Sequence, residues 1–150
     1  MDLNIKLCFY HDIMWFEIMK IINNNLIDSV VKQAKESPRL RMNYNFHASL
    51  DDKCNRMLNA LEPGTQVPIH HHMTKDESLI LLRGKVRVNI YNDLGELTET
   101  IVLCHADGNI GVDIPKNTWH NVECLEEGSV IFEVKEGPFV EHAVDGILRV

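Results

Sequence analysis

The chain has 150 residues, 45% of them hydrophobic, enough for one domain with its own core, so no second domain is expected. A formal net charge of -7 argues against nucleic acid or an anionic membrane as partner, because either needs a basic field, and Arg39 and Arg41 are the one evident basic cluster. No apolar run approaches the ~18 residues of a membrane-spanning helix. Four cysteines, Cys8, Cys54, Cys104 and Cys124, form no Cys-x-x-Cys pair, which points to a reducing cytoplasm.

In chain order, residues 1–18 are apolar and aromatic in patches, but Asp2, Asp12 and Glu17 interrupt them and no small-residue cleavage site follows. They are expected to be an N-terminal extension, with Met14 and Met19 as alternative starts. Leu26, Ile27, Val30, Val31 and Ala34 recur at helical spacing, Asn24 or Asn25 is placed to cap the start, and Pro38 stops the helix soon after Glu36. Residues 19–53 thus form a helix and an arm. From 54 to 138 the pattern is β: strands are expected at Met57–Glu62, Leu79–Leu82, around Val86, Val88 and Ile90, at Leu97 and Ile101–Leu103, and at Ile110–Ile114, Asn121–Leu125 and Val130–Lys135. Asp93-Leu-Gly95 supplies a hairpin turn. Many short antiparallel strands at this spacing mean a sandwich or a jelly-roll barrel, followed by a tail at 139–150.

The stretch Gly64-Thr-Gln-Val-Pro-Ile-His-His-His-Met-Thr-Lys-Asp-Glu77 carries the clearest chemistry. Alternate side chains share a face of a strand, so His70 and His72 point one way and His71 the other. Glu77 precedes an apolar run that can return its carboxylate beside the two imidazoles. Two imidazoles and a carboxylate suit zinc, iron, manganese, nickel or copper. Histidine runs also arise as tags or solvated loops, but a tag sits at a terminus and this run is internal.

Gly64-x5-His70-x-His72-x4-Glu77-x6-Gly84 resembles the first cupin motif without a gap, and Pro115-Lys-Asn-Thr-Trp-His120 resembles the second. The departures are Asn117 where cupins usually carry Gly, Gly108 one residue early, and Cys124 at a position usually held by Asn. Asn is the non-glycine residue that best tolerates a left-handed turn, so the first departure is mild. The blocks Ser37–His47, Arg56–Gly64 and Phe132–Pro138 are further similar to the WbuC family of cupin-fold metalloproteins, over about Met19 to Pro138. The resemblance implies an all-β fold, a cupin double-stranded β-helix or jelly-roll barrel, with one N-terminal amphipathic helix. It also implies one divalent metal ion, Zn, Fe, Mn or Ni, on His70, His72, Glu77 and His120.

Arg41, Asn43, Asn45 and His47 alternate, so on a strand they share a face and present polar groups to an oxygen-rich ligand, or else form an exposed face on an arm. Leu40, Met42, Tyr44 and Phe46 then face a core or a partner subunit. Trp119 is a candidate pocket wall or a core residue. Cys124 shares the face of His120 if the strand continues, as a pocket group or a small core residue. Lys135 and Glu136 are a candidate pair, His47 a candidate for proton transfer, and His11, His105 and His142 surface residues. The expected partner is a small molecule, a sugar or sugar nucleotide of surface-polysaccharide biosynthesis in the family's context. The activity is either that of a metal-dependent isomerase, epimerase or dioxygenase, or that of a non-catalytic binding or sensing module with the metal as docking point. A homodimer is expected from the arm and helix ahead of a small barrel.

Overall fold

The computed structural model describes residues 19–139 and 146–148; the expected extension at 1–18, Cys8, His11, His142 and most of the tail lie outside the described residues. Eight strands follow one helix: α1 (Asn24–Glu36), β1 (Arg41–Asn45), β2 (Cys54–Leu61), β3 (Glu77–Arg83), β4 (Lys85–Tyr91), β5 (Leu97–Cys104), β6 (Gly111–Ile114), β7 (Trp119–Cys124) and β8 (Ser129–Glu136). They form a five-stranded sheet in the order β1-β2-β8-β3-β6 and a three-stranded sheet in the order β5-β4-β7. All strand pairs are antiparallel.

Strand alternation builds the core between the sheets. Leu61, Leu79, Leu81, Ile114 and Ile131 of the larger sheet meet Val86, Val88, Leu103, Val122 and Cys124 of the smaller one, all buried. The opposite face of the larger sheet carries a second cluster, where Ile27, Val30, Val31 and Ala34 of α1 cover Leu58, Ala60 and Val130. Met42, Tyr44 and Phe46 pack on this cluster, so the apolar half of the β1 alternation faces the helix. Leu40 does not belong to that alternation: it precedes β1 in a left-handed conformation, with φ 54°.

The helix is capped one residue earlier than expected. Asn23, extended at φ -137° and ψ 176°, accepts the Leu26 N–H on Oδ1 at 3.0 Å, which leaves Asn24 and Asn25 inside the first turn. Strand β2 starts at Cys54 rather than Met57, because its pairing with β8 recruits Cys54, Asn55 and Arg56, which have no apolar pattern of their own. Strand β7 begins at Trp119, next to the loop in which Asn117 adopts φ 62°, the left-handed turn that its replacement of Gly requires. The hairpin between β4 and β5 turns where expected, with Gly95 at φ 78° and its N–H donated to Asn92 O at 3.0 Å.

Candidate metal centre

Three pieces of chain converge at one end of the space between the sheets. His70 pairs with His120 as an extra rung beyond β7, through N–H to O contacts of 2.9 and 2.8 Å in the two directions. Glu77 opens β3 and points inward from the larger sheet; His120 points inward from β7. His72, two residues beyond His70, turns to the same side, and its carbonyl accepts the Asn117 N–H at 2.8 Å. One ligand atom from each of His70, His72, Glu77 and His120 lies within 4.8 Å of all the others. His72, Glu77 and His120 are buried, the last at 1% exposure. His71 points the other way and stacks on Trp119, with ring centroids 3.9 Å apart.

Backbone carbonyls select the tautomers. His120 Nδ1 donates to Thr118 O at 2.8 Å and His70 Nδ1 donates to Pro68 O at 3.0 Å, so each neutral ring keeps its lone pair on Nε2. The His120 Nε2 lies 2.9 Å from Glu77 Oε2, and His72 Nε2 lies 3.8 Å from the same oxygen. A lone pair aimed at a carboxylate needs a cation between them, either a proton or a metal ion. Burial and the neighbouring His120 push the His70 pKa down to about 3, which keeps that ring in the neutral form a metal binds. Burial opposes ionisation of Glu77, but His120, Lys135 and Glu133 together hold it well below the usual carboxylate range. Three imidazoles and one ionised carboxylate converging in this way fit a divalent transition metal ion, and the four residues could hold one.

Glu77 belongs to a buried charge cluster. Lys135 Nζ donates to Glu133 Oε1 at 2.6 Å and to Glu77 Oε1 at 3.3 Å. Burial and the charge of Glu77 push the Glu133 carboxyl up to about 8, while Lys135, despite its burial, is held above its ordinary range by the two carboxylates.

A cavity of about 420 Å³ opens beside the cluster, bounded by His70, Glu77 and His120 and by the inner faces of β1, β2 and β8. Arg41, Asn43, Asn45 and His47 line it together, as their alternation predicts. Trp119 and Cys124 do not. Trp119 follows the outward face, where it stacks on His71 and donates its Nε1–H to Asp93 Oδ1 at 3.0 Å. Cys124 does face inward, but four residues beyond His120 it is part of the apolar core, its thiol donating to the Leu61 and Glu126 carbonyls. Lys135 pairs with Glu133 and Glu77, not with Glu136, which is exposed at the end of β8. His105 is exposed. Sequence reasoning missed Asn55, Asn59 and Glu133. A signal was available, since Asn55 and Asn59 lie at period two with the inward Leu61, and Glu133 lies between the inward Ile131 and Lys135.

Two sheets of this order form a cupin-type jelly-roll barrel, and solved structures agree with that fold. The chain is similar to KdgF from Halomonas sp., at 17% identity over 71% of this chain and 87% of that one, with a TM-score of 0.52. It is similar to the capsular polysaccharide assembling protein CapF from Staphylococcus aureus, at 24% identity over 76% of this chain and 33% of that one, with a TM-score of 0.56. A cupin superfamily protein from Desulfitobacterium hafniense matches at 12% identity over 64% of this chain and 76% of that one, with a TM-score of 0.51. At these identities the likeness is one of fold, and the chain spans about a third of CapF. No curated protein matches the chain in sequence. The chain belongs to the family described as Domain of unknown function (DUF6016), whose model matches residues 22–103.

Proposed function

We propose that His70, His72, Glu77 and His120 hold one divalent metal ion, and that the protein acts on a sugar or sugar nucleotide of surface-polysaccharide biosynthesis. The observation that carries this reading is the convergence of the four side chains within 4.8 Å at the wall of a cavity that sets asparagines, Arg39, Arg41 and Lys135 among apolar side chains. The resemblance of Ser37–His47, Arg56–Gly64 and Phe132–Pro138 to the WbuC family supports the substrate class, as does likeness to a protein described as assembling capsular polysaccharide. When bound, the ion would act as a Lewis acid, polarising a hydroxyl or carbonyl oxygen of the ligand. Lys135 fixes the Glu77 carboxylate by hydrogen bonding, and the Thr118 and Pro68 carbonyls fix the rings of His120 and His70. Three neutral imidazoles and one carboxylate would leave a divalent site near +1, which favours an anionic or chelating oxygen ligand.

Ionisable groups other than the ligands border the cavity. Glu133, Lys135 and His47 line it, and His47 Nδ1 is held 3.1 Å from both the N–H and the carbonyl oxygen of Arg56. This favours an isomerase or epimerase over a passive binding module, with one of these three moving a proton. A cytoplasmic home is supported by the free Cys54, Cys104 and Cys124, and a homodimer by the exposed Met19, Ile21 and Ile22 ahead of α1. The test is removal of the metal. Protein purified without chelator should contain one transition metal ion per chain, and a nucleotide-sugar panel followed by NMR should show turnover or binding that disappears on chelation and returns with the metal. Full activity in metal-free protein would refute the reading.

A further inference from the structure

The cavity has a second polar end that the metal centre does not use. Strand register lays its inner wall out in rows. His47, Asn55, Lys135 and Glu77 lie at the level of the metal centre: Asn55 pairs with Lys135 and Lys135 with Glu77, while His47 follows the end of β1 beside Asn55. Asn45, Met57 and Glu133 form the next row, Asn43, Asn59 and Ile131 the third, and Arg41 and Leu61 the fourth. Three two-residue steps separate the first row from the last, about 20 Å along the strand before side chains reach back.

At the far end, Arg39 and Arg41 both line the cavity. Arg41 Nη1 donates to the Gln66 carbonyl at 2.6 Å, which anchors the guanidinium, and among the described residues its other N–H groups make no further hydrogen bond. Among the described residues neither arginine makes an ion pair with a carboxylate. Burial and Arg39 hold the Arg41 pKa below its ordinary value, as expected where two cations meet without an anion. Two adjacent uncompensated guanidiniums fit a phosphate, whose three free oxygens take both forks, better than a carboxylate, which one fork satisfies.

Between the two ends the wall mixes the carboxamides of Asn43, Asn45 and Asn59 with Met57, Leu79, Ile131 and Glu133. Asn43 Nδ2 donates to Asn45 Oδ1 at 2.8 Å and Asn59 Nδ2 donates to Glu133 Oε2, which orders three of these side chains. Asn55 is 1% exposed and lines the cavity, yet its Oδ1 has no partner among the described residues. A buried carboxamide oxygen without a donor costs roughly 1–3 kcal/mol, which a ligand hydroxyl would relieve. Carboxamides both donate and accept, as does a hydroxyl, and the apolar side chains between them offer contact to C–H groups, so this mixed wall suits a sugar ring.

We infer that the ligand is a phosphorylated sugar, with its ring hydroxyls against Asn55 beside the metal centre and its phosphate on Arg39 and Arg41 at the other end of the cavity. The inference rests on the metal reading for the placement of the ring, and on the arginines alone for the phosphate.

The test uses full-length, metal-loaded protein and calorimetric titration with glucose 1-phosphate, inorganic phosphate, glucuronate and glucose. Glucose 1-phosphate should bind, inorganic phosphate should compete with it, and glucose should bind more weakly. The Arg39→Gln, Arg41→Gln double variant should weaken the ester by at least about tenfold and flatten its salt dependence, while its metal content and its affinity for glucose stay unchanged. Failure of the ester to bind metal-loaded wild type, or undiminished affinity in the double variant, would overturn the inference. Equal, arginine-dependent binding of glucuronate would overturn the phosphate assignment. A wild type that holds no metal counts against the proposed function instead, and the phosphate end still stands if ester binding continues to need both arginines.

Discussion

Replacing His72 with alanine, or Glu77 with glutamine, is expected to strip the metal from the protein, lowering affinity by more than about 100-fold. That figure is typical for loss of a group that merely orients a ligand, so loss of the ligand itself should exceed it. Both positions are buried, and both direct an atom into the group that lies within 4.8 Å. The glutamine variant keeps the shape of Glu77 and removes the charge that the histidine nitrogens face. His71→Ala is the control, because its ring stacks on Trp119 on the opposite side of the chain. Elemental analysis of the purified variants, with circular dichroism to verify folding, should show one ion per chain in wild type and His71→Ala and almost none in the other two. Retention of the metal by folded His72→Ala would contradict the ligand set.

Gly84→Ala is expected to be strongly destabilising. Gly84 closes the first motif at φ 79°, in the left-handed region where a side chain costs about 1–2 kcal/mol. A Cβ there would lie 2.4 Å from Ser129 Oγ and 2.8 Å from Ser129 Cα, and the second of these is backbone and cannot swing aside. Ser129 is fully buried, and its hydroxyl donates to the Glu126 carbonyl at 2.6 Å and accepts the Lys85 N–H at 3.0 Å. Pushing it away would break the junction of β3, β4 and β8. The total cost should be about 2–4 kcal/mol, read as a lower urea midpoint and a melting temperature lower by roughly 5–15 °C. An unchanged midpoint would mean that the turn is not packed as described.

Much of this was legible in local pattern. Period two within the run His70 to His72 separates the cluster from the outer stack, and the same period in Arg41 to His47 places four polar side chains on the cavity wall. Asn117 adopts the left-handed turn that its place in the second motif demands. The misses share a cause. Trp119 was a pocket candidate because it adjoins His120 in sequence, but neighbours on a strand face opposite ways. Cys124 shares the inward face of His120, yet four residues of strand are about 13 Å, which carries it out of the site and into the core. Glu133 and Asn55 reach the site through the pairing of β2, β8 and β3, and no single strand's pattern contains a register between strands.

The central claim is that one metal ion sits among His70, His72, Glu77 and His120. Anomalous diffraction at metal absorption edges, from crystals of protein purified without added metal or chelator, tests it most directly. The account predicts one anomalous peak per chain, bonded to three imidazole nitrogens and a Glu77 oxygen at about 2.0–2.2 Å. Ordered density for all four side chains with no peak between them, or a peak held by other residues, would contradict it.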